Sequence, residues 1–382
     1  MGRVETNFKK TENDSIPEGW AVKRLKDISP LQRGFDLPNA NLIDGDYQVI
    51  YSNGAMNKHQ YFQVKASGVV TGRSGTIGKV FFIEEDYWPH NTTLWVTDFK
   101  DNIPKFIYYL LTKTKLERFA TGSGVPTLNR NDVHDFKVAI PLDQTEQIAI
   151  ANALSDADGY IESLEKLIAK KQLIKQGAMQ QLLSPKPHWE IKSLKEIARY
   201  RRGSFPQPYG LEKWYDDING APFVQVFDVD DNKLLKSETK CKISREAQEM
   251  SIFVKKGSII LTIQGSIGRI AITQYDSYVD RTLLIFESFL EKFDKYFFMI
   301  SVWVLFEHEK ESAPGGIIKT ITKESLSSFK ISFPTYGEQV QIAKTLSDMD
   351  SEITTLTNKL TKAKNLKQGM MQQLLTGKIR LI

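Results

Sequence analysis

Glu146-Gln147-Ile148-Ala149-Ile150-Ala151, followed by Leu154-Ser155-Asp156-Ala157-Asp158 and Lys175-Gln176-Gly177-Ala178-Met179-Gln180-Gln181-Leu182-Leu183, occurs twice. It returns as Glu338-Gln339-Val340-Gln341-Ile342-Ala343, Leu346-Ser347-Asp348-Met349-Asp350 and Lys367-Gln368-Gly369-Met370-Met371-Gln372-Gln373-Leu374-Leu375. The offset is constant at 192 (338 − 146), and 20 of the 41 positions from Glu146 to Lys186 match their partners without a gap. Internal repeats fix architecture before any local signal does, and two copies are too few for a solenoid, so the chain is a duplication.

Fainter echoes lie outside this stretch. Trp20, Lys23, Leu25, Lys26 and Ile28 return as Trp189, Lys192, Leu194, Lys195 and Ile197, and Arg33-Gly34 returns as Arg202-Gly203. Gly75-Thr76-Ile77-Gly78-Lys79 returns as Gly265-Ser266-Ile267-Gly268-Arg269, and Phe136-Lys137-Val138 before Pro141 as Phe329-Lys330-Ile331 before Pro334. The stretches around Asn41 to Tyr61 and Leu211 to Ser251 are not shared.

Within the strong repeat, Ile150, Leu154, Ala157, Ile161, Leu164 and Ile168 step by four and three, as do Ile342, Leu346, Met349, Ile353, Leu356, Leu360 and Ala363. This is the seam of a supercoiled helix, sustained for about three heptads. A single such helix would leave its stripe in water, so the two are expected to pack together, antiparallel because each must leave its own globular head. At 1.5 Å rise, about 30 helical residues make a rod of about 45 Å.

The heads read as mixed α and β. Gly68-Val69-Val70-Thr71 and the run Gly257 to Ile263 read as strands entering a glycine turn, and Lys79 to Ile83 and Arg269 to Ile272 as strands leaving it. Pro104 to Phe119 and Asp294 to Lys310 read as helices, the first with proline near its first turn and the second with an aspartate cap. The expected fold is α+β: two similar heads joined by two long helices packed as an antiparallel coiled coil. The expected divisions are a tail over 1–16, a head over 17–141, a helical spacer over 142–186, a second head over 187–334 and a second spacer over 335–382.

Length and composition agree with this plan. A chain of 382 residues fits two or three domains, and 41% hydrophobic with 25% charged residues is ordinary for a globular protein. The net charge of +5 leaves nucleic acid open as a partner. It is sharper locally, since no acidic residue follows Glu352 while Lys359, Lys362, Lys364, Lys367, Lys378 and Arg380 do. The one cysteine, Cys241, excludes an internal disulfide or a cysteine-based zinc site and favours a reducing, cytoplasmic setting. No secretory signal is visible in the polar start Met1-Gly2-Arg3-Val4-Glu5, and the apolar run Tyr296 to Phe306 is about half the length of a bilayer span and reads as a buried helix. No membrane partner is expected.

Together, the paired Val138-Ala139-Ile140-Pro141 and Ile331-Ser332-Phe333-Pro334 exits, the Glu-Gln-x-x-Ile-Ala starts, and the Leu-Ser-Asp-x-Asp and Lys-Gln-Gly-x-Met-Gln-Gln-Leu-Leu strings resemble the specificity subunit of type I restriction-modification systems. The resemblance covers roughly Pro17 to Lys378. It implies two target-recognition domains, each reading one half of a split sequence in double-stranded DNA, and helices that set the spacer and dock two modification subunits. Those partners would carry S-adenosylmethionine and the adenine methylation chemistry, restriction subunits can join them, and this chain itself would hold no cofactor and no metal. The sequence agrees with a non-catalytic role. It has no Asn/Asp-Pro-Pro-aromatic string, no Gly-x-Gly-x-x-Gly, no phosphate-loop motif and no His-Glu-x-x-His. His59, His90, His134, His188 and His308 have no ligand spacing.

Candidate DNA contacts follow from the repeat. Arg73, Ser74 and Lys79 lie in the first glycine turn and Gln264, Ser266 and Arg269 in the second. Exposed amides there could cradle phosphate, although the glycines read better as supplying positive φ in a strand-turn-strand. A shared frame with differing side chains is what two heads reading different bases would show, arginine suiting guanine and glutamine suiting adenine. Arg33, Arg201 and Arg202 sit at the repeated Arg-Gly step, where each could pin phosphate or form a surface ion pair. Arg130, Lys319 and Lys323 end two glycine loops, and Lys58 and Gln225 lie in divergent stretches with Tyr47, Tyr51, Tyr61, Trp214, Tyr215 and Phe227. Two other function classes compete with a DNA-reading scaffold: a coiled-coil interaction scaffold joining two protein-binding modules, and a self-contained DNA methylase or nuclease.

Overall fold

The computed structural model describes residues 8–10, 15–122, 126–312 and 323–381. The chain divides into two compact units, residues 1–168 with 356–382, and residues 169–355. Neither division falls at the edge of a head. Each unit is one head plus a segment from each of the two long helices, Gln144–Leu182 and Tyr336–Leu374.

In the first unit an antiparallel sheet takes the order Leu31–Arg33, Thr93–Val96, Gly68–Gly72, Val80–Ile83. Gly68–Gly72 is buried along its whole length, as an uninterrupted apolar run implies. The helix Pro104–Thr114 lies against this sheet and buries Phe106, Ile107, Tyr109, Leu110 and Leu111. It begins with proline, whose missing N–H costs nothing at that position. The helix expected to reach Phe119 is broken: Lys115 turns left-handed at φ 54°, and Leu116–Phe119 continues as a 3-10 turn. A second sheet places Tyr47–Tyr51 between antiparallel Gly54–His59 and parallel Tyr87–Pro89. The short hairpin Phe8–Lys10 with Ser15–Pro17 occupies part of the stretch read as a tail, and Ile16 is buried.

The second unit repeats the scheme. Ala198–Arg202, Leu283–Phe289, Ile259–Thr262 and Ile270–Ile272 form the equivalent antiparallel sheet. Asp294 Oδ1 accepts the N–H groups of Tyr296 and Phe297 at 2.9 Å and caps Lys295–Ser312, as the sequence predicts. Phe297, Phe298, Ile300, Val302 and Phe306 of this helix are buried, so the apolar run is core. The second sheet again contains a parallel pair, Ala221–Val224 with Ser277–Val279, and gains an extra edge strand, Ile252–Val254.

Both heads close on themselves before handing over to a helix. Trp20–Arg24 pairs with Lys137–Pro141, and Glu190–Ser193 pairs with Lys330–Phe333. The repeated Glu-Gln then explains itself. Gln147 accepts from Ile103 N and donates to the Pro141 carbonyl, and Gln339 accepts from Asp294 N and donates to the Pro334 carbonyl. Each buried amide ties the first turn of its long helix to the head that precedes it.

The helix stripes are buried, with a division of labour that periodicity does not reveal. Ile150 and Leu154 pack into the core of the first head, alongside Leu374 and Leu375 from the far end of the second long helix. Ile342 and Leu346 pack into the core of the second head, alongside Met179 from the first. The middle members Ala157, Ile161, Leu164 and Ile168, and Met349, Ile353, Leu356 and Leu360, are buried or half-buried. The antiparallel sense is visible inside each unit. Asp158 and Glu165 pair with Lys367 and Lys364, and Lys171 and Lys175 pair with Glu352 and Asp350, numbering rising on one helix as it falls on the other. Lys364, Lys367 and Arg380 of the acid-free C-terminal stretch are therefore matched to carboxylates of the first long helix or its start.

Candidate nucleic-acid interface

In the first head the sheet register gathers several candidates at one end of the strands. Arg33 is opposite Leu94, and Gly72 is opposite Thr93, so Arg33 and the Arg73-Ser74 turn leave the sheet together. The repeated Arg-Gly step has a steric cause: a Cβ at Gly34 would lie 2.2 Å from the His90 carbonyl oxygen. Arg33 pairs with Asp36 at 3.1 Å, and Asn91 Nδ2 donates to the same carboxylate. The Asn91 contact first, and Arg33 and His90 after it, hold the Asp36 carboxyl below its usual range. His90 is pushed down by burial, donates or accepts at Thr92 Oγ1, and stacks 4.4 Å from Tyr51, which accepts from Asn57 Nδ2.

Three amides at the start of the glycine turn are already bonded within the head. Arg73 N and Ser74 N donate to the Thr92 carbonyl, Gly75 N to that of Pro126, and Leu128 N to that of Arg73. These bonds take Arg73, Ser74 and Gly75 N out of any phosphate cradle, and Gly75 and Gly78 have φ of 85° and 92° as a strand-turn-strand requires. The same bonds bring Arg73 and Ser74 beside Thr127, two residues before Asn129, which caps the helix opened by Arg130. Arg33, Arg73, Ser74 and Arg130 thus share one region of the head. Lys79 is exposed on the far side of the turn, and Lys58 is exposed on Gly54–His59.

The second head builds the same sheet end with other side chains. A Cβ at Gly203 would meet the Val279 carbonyl oxygen at 2.2 Å, so Arg202-Gly203 repeats the close approach. Arg202 pairs with Leu284 and Thr262 with Leu283, placing Arg202, Gln264 and Ser266 near one another in the strand order. Here the link corresponding to His90-Asn91-Thr92 reads Asp280-Arg281-Thr282. Tyr209 Oη donates to Asp280, Gln225 Nε2 approaches Tyr209 Oη at 3.4 Å, and the Arg281 guanidinium lies 5.3 Å from the Tyr209 ring centre. Arg281, Asn91 and Tyr209 escaped the sequence reading because nothing in their spacing marks them; only the Asn91-Thr92 and Arg281-Thr282 correspondence could have found them.

Two candidates are occupied elsewhere. Arg269 pairs with Asp231 at 2.8 Å and donates to the Val229 carbonyl, and Arg201 pairs with Glu287 at 2.8 Å. Trp214 is core, whereas Tyr61 and Phe227 are exposed. Lys319 lies outside the described residues, and Lys323 opens the short helix Lys323–Ser328. Among the described residues no histidine, cysteine or carboxylate cluster could hold a metal, and no helix is long and apolar enough to cross a membrane.

Comparison with known proteins gives this geometry a context. The family model of the type I restriction modification DNA specificity domain matches twice, over residues 17–175 and 187–365. The chain is 26% identical to the putative type I restriction enzyme MjaX specificity subunit of Methanocaldococcus jannaschii, over 99% of this chain and 97% of that protein. It is 23% identical to the MjaVIII specificity subunit of the same organism over the same shares. A crystal structure of the S subunit of a type I restriction-modification system from M. genitalium shares the fold at a TM-score of 0.65, with 15% identity and coverage of 97% of this chain and 99% of that one.

Proposed function

This chain belongs to the type I restriction-modification DNA specificity family, and from that membership we propose that it is the sequence-reading subunit of such a complex, each head taking one half of a split target. The carrying observation is that two heads with one backbone frame end in the same sheet end, one furnished with Arg33, Arg73, Asn91 and Arg130 and the other with Arg202, Gln264, Arg281 and Gln225. One frame carrying unlike side chains at matched positions, Ser74 against Gln264, Tyr51 against Gln225 and Asn91 against Arg281, is what direct readout of two unlike half-sites needs.

In this reading the arginines and lysines around each sheet end hold register on phosphate while a few side chains select bases in the major groove. The helix pair fixes how many base pairs go unread, as protein geometry sets half-site spacing in dimeric readers. Two modification subunits dock on the helices, bind S-adenosylmethionine and receive the flipped adenine; restriction subunits join the same assembly. The chain contributes binding and measurement, and its partners contribute catalysis.

The test is to exchange residues 17–141 for the corresponding head of another family member and to map methylated adenines in cells carrying the hybrid and its modification subunits. One half of the target should change while the other half and the spacer stay. A target that changes at both halves, or duplex DNA that fails to bind the complex at low salt, would refute this reading and favour a scaffold joining protein-binding modules.

A further inference from the structure

Two polar clusters that DNA contact does not account for sit where each head meets its helix segments. In the first unit Tyr109 Oη donates to Asp158 Oδ2 at 2.8 Å, Lys367 Nζ pairs with Asp158 Oδ1, and the ammonium lies 5.6 Å from the Tyr109 ring centre. In the second unit Tyr296 Oη donates to Asp350 Oδ2 and Lys175 Nζ pairs with Asp350 Oδ1. The aspartates are repeat partners (350 − 158 = 192), and so are the lysines (367 − 175 = 192). Each triad therefore takes a tyrosine from the head, an aspartate from the long helix that leaves that head, and a lysine from the other long helix. The two lysine side chains are only 12% and 19% exposed.

Such a triad does what the apolar stripe cannot. Leucine, isoleucine and alanine tolerate sliding past one another, because a shifted seam still buries carbon against carbon. A largely buried ammonium that slides away from its carboxylate is left uncompensated, which is strongly unfavourable. Single polar groups in a coiled-coil seam are known to specify register at a cost in stability. A slip of one heptad is about 10 Å along the helix, which corresponds to about three base pairs of duplex.

We propose that Tyr109–Asp158–Lys367 and Tyr296–Asp350–Lys175 are register keys: they lock the antiparallel alignment of the two long helices and the seat of each head on them, and so select the number of unread base pairs between half-sites. The inference rests on the two-headed reading above. Tyr109 and Tyr296 act as positioning residues, since they touch the helix carboxylates and not DNA.

The experiment uses the full chain with its modification subunits on a duplex library whose half-sites are separated by varied spacers, methylated adenines being read by sequencing. Register is read separately in the same proteins, with Cys241→Ser and the cysteine pair Glu165→Cys and Lys364→Cys, a pair bridged at 2.7 Å in the native chain, joined by a short bis-maleimide. Replacing both Asp-Lys pairs by leucine should lower the yield of this crosslink and cut the preference for the native spacer by about tenfold or more. The milder Tyr109→Phe with Tyr296→Phe should broaden spacer choice by about threefold or more, one hydrogen bond to a carboxylate being lost at each key while its ion pair stays. The reciprocal exchange Asp158→Lys with Lys367→Asp should restore the native spacer. An unchanged crosslink yield with an unchanged spacer in the leucine variant, or in the phenylalanine variant should the leucine one not fold, overturns the keys. A native chain that methylates an unsplit target sinks the two-headed reading instead, while the crosslink still reports on register.

Discussion

Glu146 and Glu338 occupy the same place in the repeat, yet the two units close over them differently. Glu146 is 1% exposed, grips Arg380 through both oxygens and accepts from the Trp20 indole at 3.2 Å. Glu338 is more open and is met by Lys186 at 3.0 Å and His188 at 3.1 Å, which together hold its carboxyl below the usual range. His188 and Arg380 are themselves repeat partners (380 − 188 = 192). The duplication has kept the topology of this closure, end of one long helix onto the start of the other, while its chemistry has diverged. A planar guanidinium suits a bidentate buried grip in a way that lysine and histidine do not. The backbone frame is therefore the shared property of the units, and the strength of each closure is local.

The largest expected consequence is on stability. Glu146→Ala should cost about 3–5 kcal/mol in the first unit, because Arg380 and Trp20 lose their acceptor away from water. Glu338→Ala should cost much less, and equal losses by denaturant titration would erase the contrast. Next in size is base preference. Arg73 makes no side-chain hydrogen bond or ion pair among the described residues, whereas Arg269 is engaged by Asp231. Arg73→Ala should forfeit about 1–3 kcal/mol of discrimination at one base pair, while Arg269→Ala should leave the methylated sequence unaltered; a uniform loss of binding across sequences in Arg73→Ala would remove it from base readout.

A smaller effect separates the two tryptophans. Trp20→Phe should cost about 1 kcal/mol through its lost hydrogen bond to Glu146, but the Trp189 indole N–H is buried without a partner among the described residues, so Trp189→Phe should be neutral or stabilising. The smallest effect is a pH slope. Burial pushes Lys113 and Lys233 down to about 8, aided by Lys378 at the first and by Lys175 at the second, against Asp350, Glu307 and Asp231. A lysine depressed in the fold holds fewer protons than in the unfolded chain between about pH 8 and its ordinary value near 10.5, so its contribution to stability rises with pH across that window. Lys113→Met should flatten the rise for the first unit and Lys233→Met for the second; a slope unaffected by either substitution would assign it to other groups.

The sequence was informative wherever a signal is local. The Asp294 cap and the paired glycine turns depend on neighbours within a turn or a hairpin and are found as read, whereas Leu154 and Leu346, read as seam, are buried in the cores of the heads. Helix propensity does not register the single left-handed residue Lys115, which turns the chain into the 3-10 segment Leu116–Phe119. Arg269 was read as a DNA contact from its place in a turn, yet its Asp231 partner lies 38 residues away in a stretch with no repeat counterpart. Arg281 and Tyr209 were invisible for the same reason, since a π contact between them needs two loops to meet.

By itself the sequence determined that this chain is one frame written twice, with amphipathic helices that cannot stand alone and heads of mixed α and β structure. Periodicity and a fixed offset suffice for that, because burial of an apolar stripe is a demand that any partner of the right shape can meet. Only the tertiary structure decided which ends meet: Asp158 with Lys367, Asp350 with Lys175, Glu146 with Arg380. Charges 175 to 234 residues apart carry no mark in the linear chain; their pairing exists because antiparallel helices fold each half's ending onto the other half's beginning.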